Sequence, residues 1–294
     1  MKADSKITVF TPTYNRAYII ENLYRSLQRQ TFCDFEWLVV DDGSSDNTEE
    51  LFQTWQNAEN NFPIRYYKQE NGGKHTAINR GLNLANGTWF FTVDSDDYLT
   101  DDALEKVAHW VDDLPNGEKF CGISANLGTS PTQTPNTIFD TPYIEDTAFA
   151  RYGAADGERA MVIATEIHRQ YLYPVFAGER FMTEAVTWNR MANDGYKMRF
   201  YNDIIWVYEY KEDGLTKAGS KLFLNNPKGY GLWLREKSAF LNEGLKARLQ
   251  MYYTFTCDLH SRLASWQIAQ CIGAPRWLIS GFYILRNIIN LFRK

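Results

Sequence analysis

The sequence has no long uncharged apolar segment. None of its apolar runs approaches the ~20 residues that a membrane-spanning helix requires. Its first residues, MKADSKITVF, lack the apolar core of a signal peptide. The formal net charge of −5 has the wrong sign for a general nucleic-acid-binding protein. We therefore expect a cytoplasmic protein that neither spans a membrane nor binds nucleic acid.

Cysteine and histidine are also scarce. The four cysteines, Cys33, Cys121, Cys257 and Cys271, form no C-x-x-C pair, which predicts reduced structural thiols. No second histidine lies at metal-ligand spacing from His75, so we interpret His75 as a local hydrogen-bonding residue. Aromatic residues are abundant at 15%, which suits carbohydrate-handling proteins and ordinary protein cores alike.

The first hundred residues alternate between strand and helix patterns. Alternation at this spacing predicts right-handed crossovers and an α/β fold with a mostly parallel sheet flanked by helices. Each strand is followed by a polar motif: TPTYN, DDGSS, ENGGK and DSDD. In parallel sheets ligands bind at the carboxyl ends of the strands, so we expect these four motifs to meet at one edge. The predicted strands are Ile7–Phe10, Glu36–Val40, Ile64–Tyr67 and Thr88–Val93.

The remainder of the chain gives a coarser pattern. We expect a catalytic domain over 1–224, with a donor half over 1–104 and an acceptor half over 105–224, and a helical region over 225–294. The elements predicted in the acceptor half are a helix at Val107–Val111, a strand at Phe120–Ser124, a loop at Gly128–Pro142, a strand at Met161–Thr165, a helix at Glu179–Asn193 and a strand at Phe200–Tyr210.

The densest acidic motif follows the fourth strand. The D-x-D spacing of Asp94 and Asp96 suits a hard divalent cation, which takes oxygen ligands and shares them with substrate phosphates. The alternative is an acidic turn that leads into a helix. We assign Asp101 and Asp102 to that helix start, as N-cap and first-turn residues. Asp97 has no assignment from the sequence.

Other charged residues of the same motifs allow two interpretations each. Asp41 and Asp42 could accept hydrogen bonds from a base or a ribose, or could simply form a D-D-G-S turn. Lys74 and Arg80 could neutralise a diphosphate, or could be solvated surface charges.

Three segments together resemble the nucleotide-sugar-binding half of the family 2 inverting glycosyltransferases of GT-A fold. They read VFTPTYNR, FEWLVVDDGSSDNTEE and ENGGKHTAINRGLNLANGTWFFTVDSDDYL. A later segment, GERFMTEAVTWNRMANDGYKMRFYNDIIWVYEYKEDGLT, resembles the acceptor half in bacterial members that build surface polysaccharides. The resemblance covers residues 5–220.

The resemblance implies roles for individual residues. Asp96 would ligate Mn²⁺ or Mg²⁺ bridging the donor diphosphate. The donor nucleotide would be bordered by Thr11, Pro12 and Tyr14, and its uracil or other base would meet Asp41. Near the base or phosphates would lie Lys74 and Arg80, and Asp94 would face the ribose or the metal.

The expected general base departs from the family pattern. Inverting transfer needs a base to deprotonate the acceptor hydroxyl, and the family usually supplies it from a Glu-Asp pair at the start of a helix. This chain has Glu184 followed by Ala185 at that place. We expect Glu184 to be the base, with Glu179 and Asp194 as weaker alternatives.

The last twenty residues read PRWLISGFYILRNIINLFRK. An apolar stripe is predicted on one face of a helix, with a polar face opposite that includes Tyr283. This pattern fits a helix lying on an anionic inner leaflet, and packing on protein is the alternative. The predicted stripe consists of Leu278, Phe282, Leu285, Ile289 and Phe292.

The leading hypothesis is a metal-dependent inverting glycosyltransferase of hexosyltransferase type. It would move a sugar from a nucleotide-sugar, most simply a UDP-sugar, to a glycan or lipid-linked glycan in polysaccharide biosynthesis. Two alternatives stay open. One is a nucleotidyltransferase, although TPTYNR is not the Gly-rich loop of that class. The other is a degenerate nucleotide-sugar-binding protein, suggested by Ala185.

Overall fold

The donor half folds as the sequence predicts. The structure is a computed structural model that describes residues 5–209 and 219–292, the last four of these by backbone alone. All four predicted strands are confirmed, with ends shifted by no more than three residues. The elements are β1 (Ser5–Thr13), α1 (Glu21–Gln28), β2 (Phe35–Asp41), α2 (Thr48–Gln56), β3 (Ile64–Lys68), α3 (Lys74–Leu84) and β4 (Gly87–Thr92).

The following part of the chain extends the sheet with strands of both directions. The helix predicted at Val107–Val111 and the predicted strands of this part are present with longer or shifted ends. Two further strands, Tyr98–Leu99 and Tyr143–Thr147, were not predicted. The predicted strand end at Tyr210 and the DGLT segment lie outside the described residues. The elements are β5 (Tyr98–Leu99), α4 (Ala103–Asp112), β6 (Phe120–Gly128), β7 (Tyr143–Thr147), a 3₁₀ helix (Ala148–Tyr152), β8 (Arg159–Ala164), α5 (Thr165–His168), α6 (Ala185–Asn193) and β9 (Lys197–Val207).

The sheet is parallel where the donor motifs lie. Its order is β3-β2-β1-β4-β8-β6-β9-β5, with β7 paired to β9. The pairs β1–β2, β2–β3 and β1–β4 are parallel, whereas β8 runs antiparallel to β4 and β6. The carboxyl ends of β1, β2 and β4 therefore lie at one edge, and β8 starts at that same edge.

Burial explains why these segments form strands. Every residue of β2, FEWLVVD, is buried, as expected of a strand covered on both faces of a parallel sheet. Helix α3 crosses the sheet closely at Gly81, where an added Cβ would lie 2.1 Å from the ring of Phe10. Only glycine permits this approach.

One predicted helix is shorter than expected. The helix predicted at Glu179–Asn193 begins at Ala185. The backbone N–H groups of Arg180 and Phe181 donate to Asn226 Oδ1 at 2.8 and 3.1 Å. These bonds hold an irregular segment, because residues 179–184 are not helical, and the prediction for 179–184 was wrong.

The chain divides into two compact units. The first contains Met1–Leu172 and Arg190–Lys211, and the second contains Tyr173–Asn189 and Glu212–Lys294. The predicted domain boundary after residue 224 stays a prediction. The described helices that follow are α7 (Ser220–Leu224), α8 (Pro227–Phe240), α9 (Leu245–Leu259), α10 (Ser265–Ile272) and α11 (Arg276–Phe292).

Helix α11 has two apolar faces, so the predicted single stripe was wrong in part. Phe282 and Tyr283 pack against the core of the second unit, in which Ile279 is fully buried. Leu285, predicted on the same face as Phe282, is instead exposed. The side chains of Ile289 and Phe292 lie outside the described residues. The exposed apolar side chains of α11 are Trp277, Ile284, Leu285 and Ile288.

No helix in the described ranges 5–209 and 219–292 is long and apolar enough to cross a bilayer.

Candidate functional site

The loops after β1 and β2 are hydrogen-bonded to each other. Asn15, which adopts a left-handed φ of 53°, donates its N–H to Ser44 Oγ at 2.8 Å. Its Oδ1 accepts from the N–H of Ser45 at 2.8 Å. The N–H of Ala17 donates to Asp46 at 3.0 Å. Asn tolerates this backbone conformation better than most residues, so the TPTYN and DDGSS motifs form one connected rim.

Asp41 ends β2 with both carboxylate oxygens engaged. It is completely buried and accepts from the N–H of Ser44 at 2.7 Å and from the hydroxyl of Tyr66. The pKa of Tyr66 is raised, first by burial and then by this bond to the carboxylate. Asp41 thus lies at the predicted edge, and its contact with a base stays a prediction.

Asp42 shapes the glycine-rich loop after β3. Its carboxylate accepts from the N–H groups of Gly72 and Gly73 at 3.0 and 2.7 Å and from Gln69 Nε2 at 2.8 Å. Gly73 has a φ of +95°, a conformation that is easily adopted only without a Cβ. The loop therefore starts α3 at Lys74 and directs that lysine toward β4.

Two ion pairs join the rim loops to the D-x-D motif. Lys74 Nζ lies 2.7 Å from Asp94 Oδ1, and Arg16 Nη2 lies 3.7 Å from Asp96 Oδ2. Burial and then the nearby charge of Asp94 raise the pKa of Asp96, while Arg16 lowers it. Arg16 was not singled out from the sequence, although it ends the TPTYNR motif. The structure thus brings Lys74, Asp94 and Asp96 together as predicted.

Asp97 has a structural partner. It is only 8% exposed and accepts from Trp206 Nε1 at 2.8 Å. Burial, followed by the charges of Asp94 and Asp96, raises its pKa to about 8. This bond connects the turn after β4 to β9. Asp97, which had no assignment from the sequence, therefore has a structural role.

Asp101 and Asp102 precede α4 as predicted, but they do not cap its backbone. Asp101 pairs with Arg29 at 2.9 Å, and Asp102 pairs with Lys106 at 2.9 Å. The acidic residue of the first helical turn is Glu105. The N-cap position itself belongs to Asp102, without a side-chain hydrogen bond to the helix backbone.

The remaining predicted donor residues lie around this edge in different environments. Thr11 and Pro12 are buried within β1, where Thr11 Oγ accepts from Trp37 Nε1 at 3.0 Å. Tyr14 is 49% exposed. Arg80 donates to the carbonyl oxygen of Lys68 at 2.8 Å, at the end of β3. The structure thus gives Arg80 a role in holding α3 to β3, and its contact with a nucleotide stays a prediction.

The predicted base lies in the second unit. Glu184 is half-buried and directly precedes α6, whose N–H groups at Thr187 and Trp188 donate to its carbonyl oxygen. Ala185 is buried, so the place of the family's second acid is an apolar helix position here. The catalytic role of Glu184 stays a prediction.

The two alternative bases already have other partners. Glu179 accepts from the N–H groups of Lys228 and Gly229 at 2.8 and 2.9 Å and so caps the start of α8. Asp194 accepts from the hydroxyl of Tyr171 at 2.7 Å.

A protein-family profile matches the part of the chain that contains the rim just described. Residues 8–160 match the profile of "Glycosyl transferase family 2". The chain belongs to glycosyl transferase family 2. The predicted family is thereby confirmed, and its profile includes every motif from TPTYN to DSDD.

A curated relative is similar to this chain in sequence, and a solved structure is similar to it in fold. A "GalNAc(5)-diNAcBac-PP-undecaprenol beta-1,3-glucosyltransferase" from Campylobacter jejuni is 37% identical over 101 residues, 34% of this chain and 32% of the relative. Staphylococcus aureus TarS 1–349 in complex with UDP-GlcNAc aligns with a TM-score of 0.62 at 17% identity, over 97% of this chain and 92% of that one.

A second solved structure extends the likeness in fold. The mannosyltransferase PcManGT from Pyrobaculum calidifontis, in complex with GDP-Man and Mn²⁺, aligns with a TM-score of 0.57 at 18% identity, over 98% of this chain and 88% of that one. At these identities the two structures show the GT-A fold alone, as predicted. This family 2 chain spans about a third of the length of the Campylobacter relative.

Proposed function

We propose that this chain transfers a sugar from a nucleotide-sugar, a UDP-sugar in the first instance, to a glycan or lipid-linked glycan, with inversion at the anomeric carbon. The observation that carries the proposal is the pair of cations, Lys74 and Arg16, held at 2.7 and 3.7 Å from the two acids of the D-x-D motif. Cations and carboxylates together can hold a diphosphate, a ribose and a metal ion. The solved relatives named above bind UDP-GlcNAc and GDP-Man.

The residues present fit a divalent ion. Mg²⁺ and similar hard ions in nucleotide sites use one or two carboxylates together with substrate phosphate oxygens. Asp94 and Asp96 supply that number, and their mutual repulsion would be relieved by a cation. In the part of the chain that the structure describes, no three His, Cys, Asp or Glu residues are grouped to hold a metal. When bound, Mn²⁺ or Mg²⁺ would stabilise the charge that develops on the leaving diphosphate.

The chain's own residues would perform the remaining steps. Lys74 and Arg16 would bind diphosphate oxygens, and Asp41 would hold the base. The acceptor oxygen forms a bond to the anomeric carbon while the bond to the diphosphate oxygen breaks and its electron pair stays with the nucleotide. Glu184 takes the acceptor's proton in the same step.

Two further candidates follow from specific observations. The buried Ala185 supports a protein that binds nucleotide-sugars without transferring them. The exposed apolar face of α11 supports a peripheral contact with the inner face of the membrane, which would bring the enzyme to a lipid-linked acceptor. The family match favours sugar transfer over nucleotidyl transfer.

The proposal is tested by nucleotide release from a panel of UDP- and GDP-sugars with Mn²⁺. Asp96→Ala should weaken metal-dependent UDP binding at least tenfold, whereas Asp101→Ala, a surface acid paired with Arg29, should not. Glu184→Gln should keep UDP binding and lower transfer by about 10²-fold or more, as expected for loss of a general base.

Three results would count against parts of this proposal. Full turnover in Asp96→Ala would remove its role as a ligand. An active Glu184→Gln variant would move the base elsewhere. Tight UDP binding with no release from any sugar would favour the degenerate binding protein.

A further inference from the structure

Glu158 is a rim residue that no motif of the sequence revealed. It directly precedes β8, which pairs antiparallel with β4 through Phe91 and Val162. Because the two strands are antiparallel, β8 starts at the edge of the sheet where β4 ends. Glu158 therefore lies at the same edge as the D-x-D motif that follows β4. The antiparallel strand thus adds an acid to the edge formed by the parallel ones.

The backbone of Glu158 is hydrogen-bonded, whereas its carboxylate has no hydrogen-bond or ion-pair partner among the described residues. Its carbonyl oxygen accepts from the N–H of Leu127 at 3.3 Å and from the side-chain amide of Asn136. Among residues 5–209 and 219–292, no group pairs or hydrogen-bonds with its carboxylate. Asp94 and Asp96, by contrast, each have a cation, and Asp97 has the Trp206 indole. Glu158 is therefore an available acceptor on a fixed backbone.

The charges around Glu158 restrict what it can bind. Loss of surrounding water and the charge of Asp94 raise its pKa, whereas Lys74 lowers it. Its side chain thus lies within the field of the Lys74–Asp94 pair, where the diphosphate is proposed to bind. A second negative group would be repelled by Glu158, so a phosphate is not its partner. A neutral hydroxyl beside the diphosphate is a suitable donor to a carboxylate.

We propose that Glu158 accepts a hydrogen bond from a hydroxyl of the transferred sugar and so selects among donor sugars. This inference rests on the proposed function and names a sugar contact of the same site. A site built to hydrogen-bond a substrate hydroxyl discriminates strongly against analogues that lack it or present it differently, because the protein group is then left unpaired. Glu158 would therefore affect sugar binding and leave nucleotide binding unchanged.

Comparison of UDP with UDP-sugars isolates this contact, because UDP lacks the sugar. Calorimetric titrations with Mn²⁺ would use UDP, UDP-glucose, UDP-galactose, UDP-GlcNAc and UDP-GalNAc on the wild type, Glu158→Gln and Glu158→Ala. Both variants should bind UDP within twofold of the wild type. Glu158→Ala should bind the preferred UDP-sugar about tenfold more weakly, and Glu158→Gln should lose selectivity within the panel. Glu118→Ala, an exposed acid paired with Lys197, is the matched control and should change neither.

The outcomes separate the inference from the proposed function. Unchanged UDP-sugar affinity and selectivity in both Glu158 variants would overturn the inference and leave the function standing. An equal loss of UDP and UDP-sugar binding, or a change in the Mn²⁺ requirement, would also overturn it, because Glu158 would then act on the diphosphate, the metal or the fold. A wild-type chain that binds no UDP, GDP, UDP-sugar or GDP-sugar would overturn both.

Discussion

The acids at the rim differ because their neighbours differ. The carboxylate of Asp42 accepts hydrogen bonds from N–H groups of the glycine-rich loop. Asp94 pairs with the ammonium group of Lys74, and Asp97 accepts a hydrogen bond from the indole N–H of Trp206. Asp42 and Asp97 therefore maintain the shape of the rim, whereas Asp94 and Asp96 pair with Lys74 and Arg16 and are the acids proposed to bind the donor.

A buried histidine away from the rim should control acid stability. His168 on α5 packs edge-to-face on Phe90, and burial lowers its pKa from 6.5 to about 3. The unfolded chain binds a proton at this residue below pH 6.5 and the folded chain does not, so stability falls as the pH decreases. Between pH 7 and 5 the loss from His168 is about 2 kcal/mol.

His168→Leu should reduce this loss, and urea unfolding at pH 5, 6 and 7 would measure it. The free energy of unfolding of the wild type should fall more steeply over this range than that of the variant. His75, whose pKa is also lowered by burial, remains in the variant, so some loss should persist. Equal slopes in the two proteins would show that folding does not lower the pKa of His168.

At the scale of elements, the close crossing of α3 over β1 depends on a glycine. Gly81→Ala would place a methyl group inside the ring of Phe10, and overpacking of this kind typically costs 1–3 kcal/mol, so we expect a loss of about that size. Gly281→Ala in α11 is the matched control, because nothing lies within 4 Å of its added Cβ. There the higher helix propensity of alanine should add up to ~1 kcal/mol.

Urea midpoints of the two variants should therefore move in opposite directions relative to the wild type. A Gly81→Ala protein as stable as the wild type would mean that Phe10 can move aside without cost.

Elements with local signals could be predicted from the sequence, and elements made by distant contacts could not. The strands of the donor half are recognisable in the sequence as apolar runs that end in polar motifs. β7, with the sequence YIEDT, is mostly exposed and has no such pattern; it forms because β9 offers an antiparallel partner. The segment before α6 is held at Arg180 and Phe181 by Asn226, which is distant in sequence.

At the candidate site, too, residues in local motifs could be predicted and residues placed by distant contacts could not. Lys74, Asp94 and Asp96 were predicted because each belongs to a motif at the end of a parallel strand. Arg16 could have been found, since it belongs to the first of those motifs. Glu158 could not, because its position depends on the pairing of β8 with β4 in an antiparallel register that no local pattern reveals.

Across the whole molecule, charge is distributed unevenly along the chain. Residues 219–294 contain eleven Lys and Arg but only three Asp and Glu, although the full chain has 31 basic and 36 acidic residues. The C-terminal region is therefore basic within an acidic protein. Basic residues next to exposed apolar side chains favour binding to anionic lipid, through both Coulomb attraction and burial of apolar area.

The exposed face of α11 should mediate this binding. Trp277 and Ile284 are 75% and 59% exposed and, with Ile288, recur at helical spacing on one side. Burial of an isoleucine side chain is worth about 1.5–3 kcal/mol, so Ile284→Asp should weaken binding to vesicles containing phosphatidylglycerol by tenfold or more. Leu245→Asp replaces a leucine on α9 that is 73% exposed and should have little effect.

Vesicle sedimentation at low and high salt would decide whether this surface acts as proposed. The wild type should sediment with anionic vesicles, less so at high salt because screening weakens the attraction of the basic residues, and not with neutral phosphatidylcholine vesicles. If Ile284→Asp and Leu245→Asp weaken binding equally, the attraction is general and α11 has no special part in it. If the wild type never sediments, the exposed apolar face of α11 does not bind membrane, and the acceptor must reach the enzyme without a membrane contact through this helix.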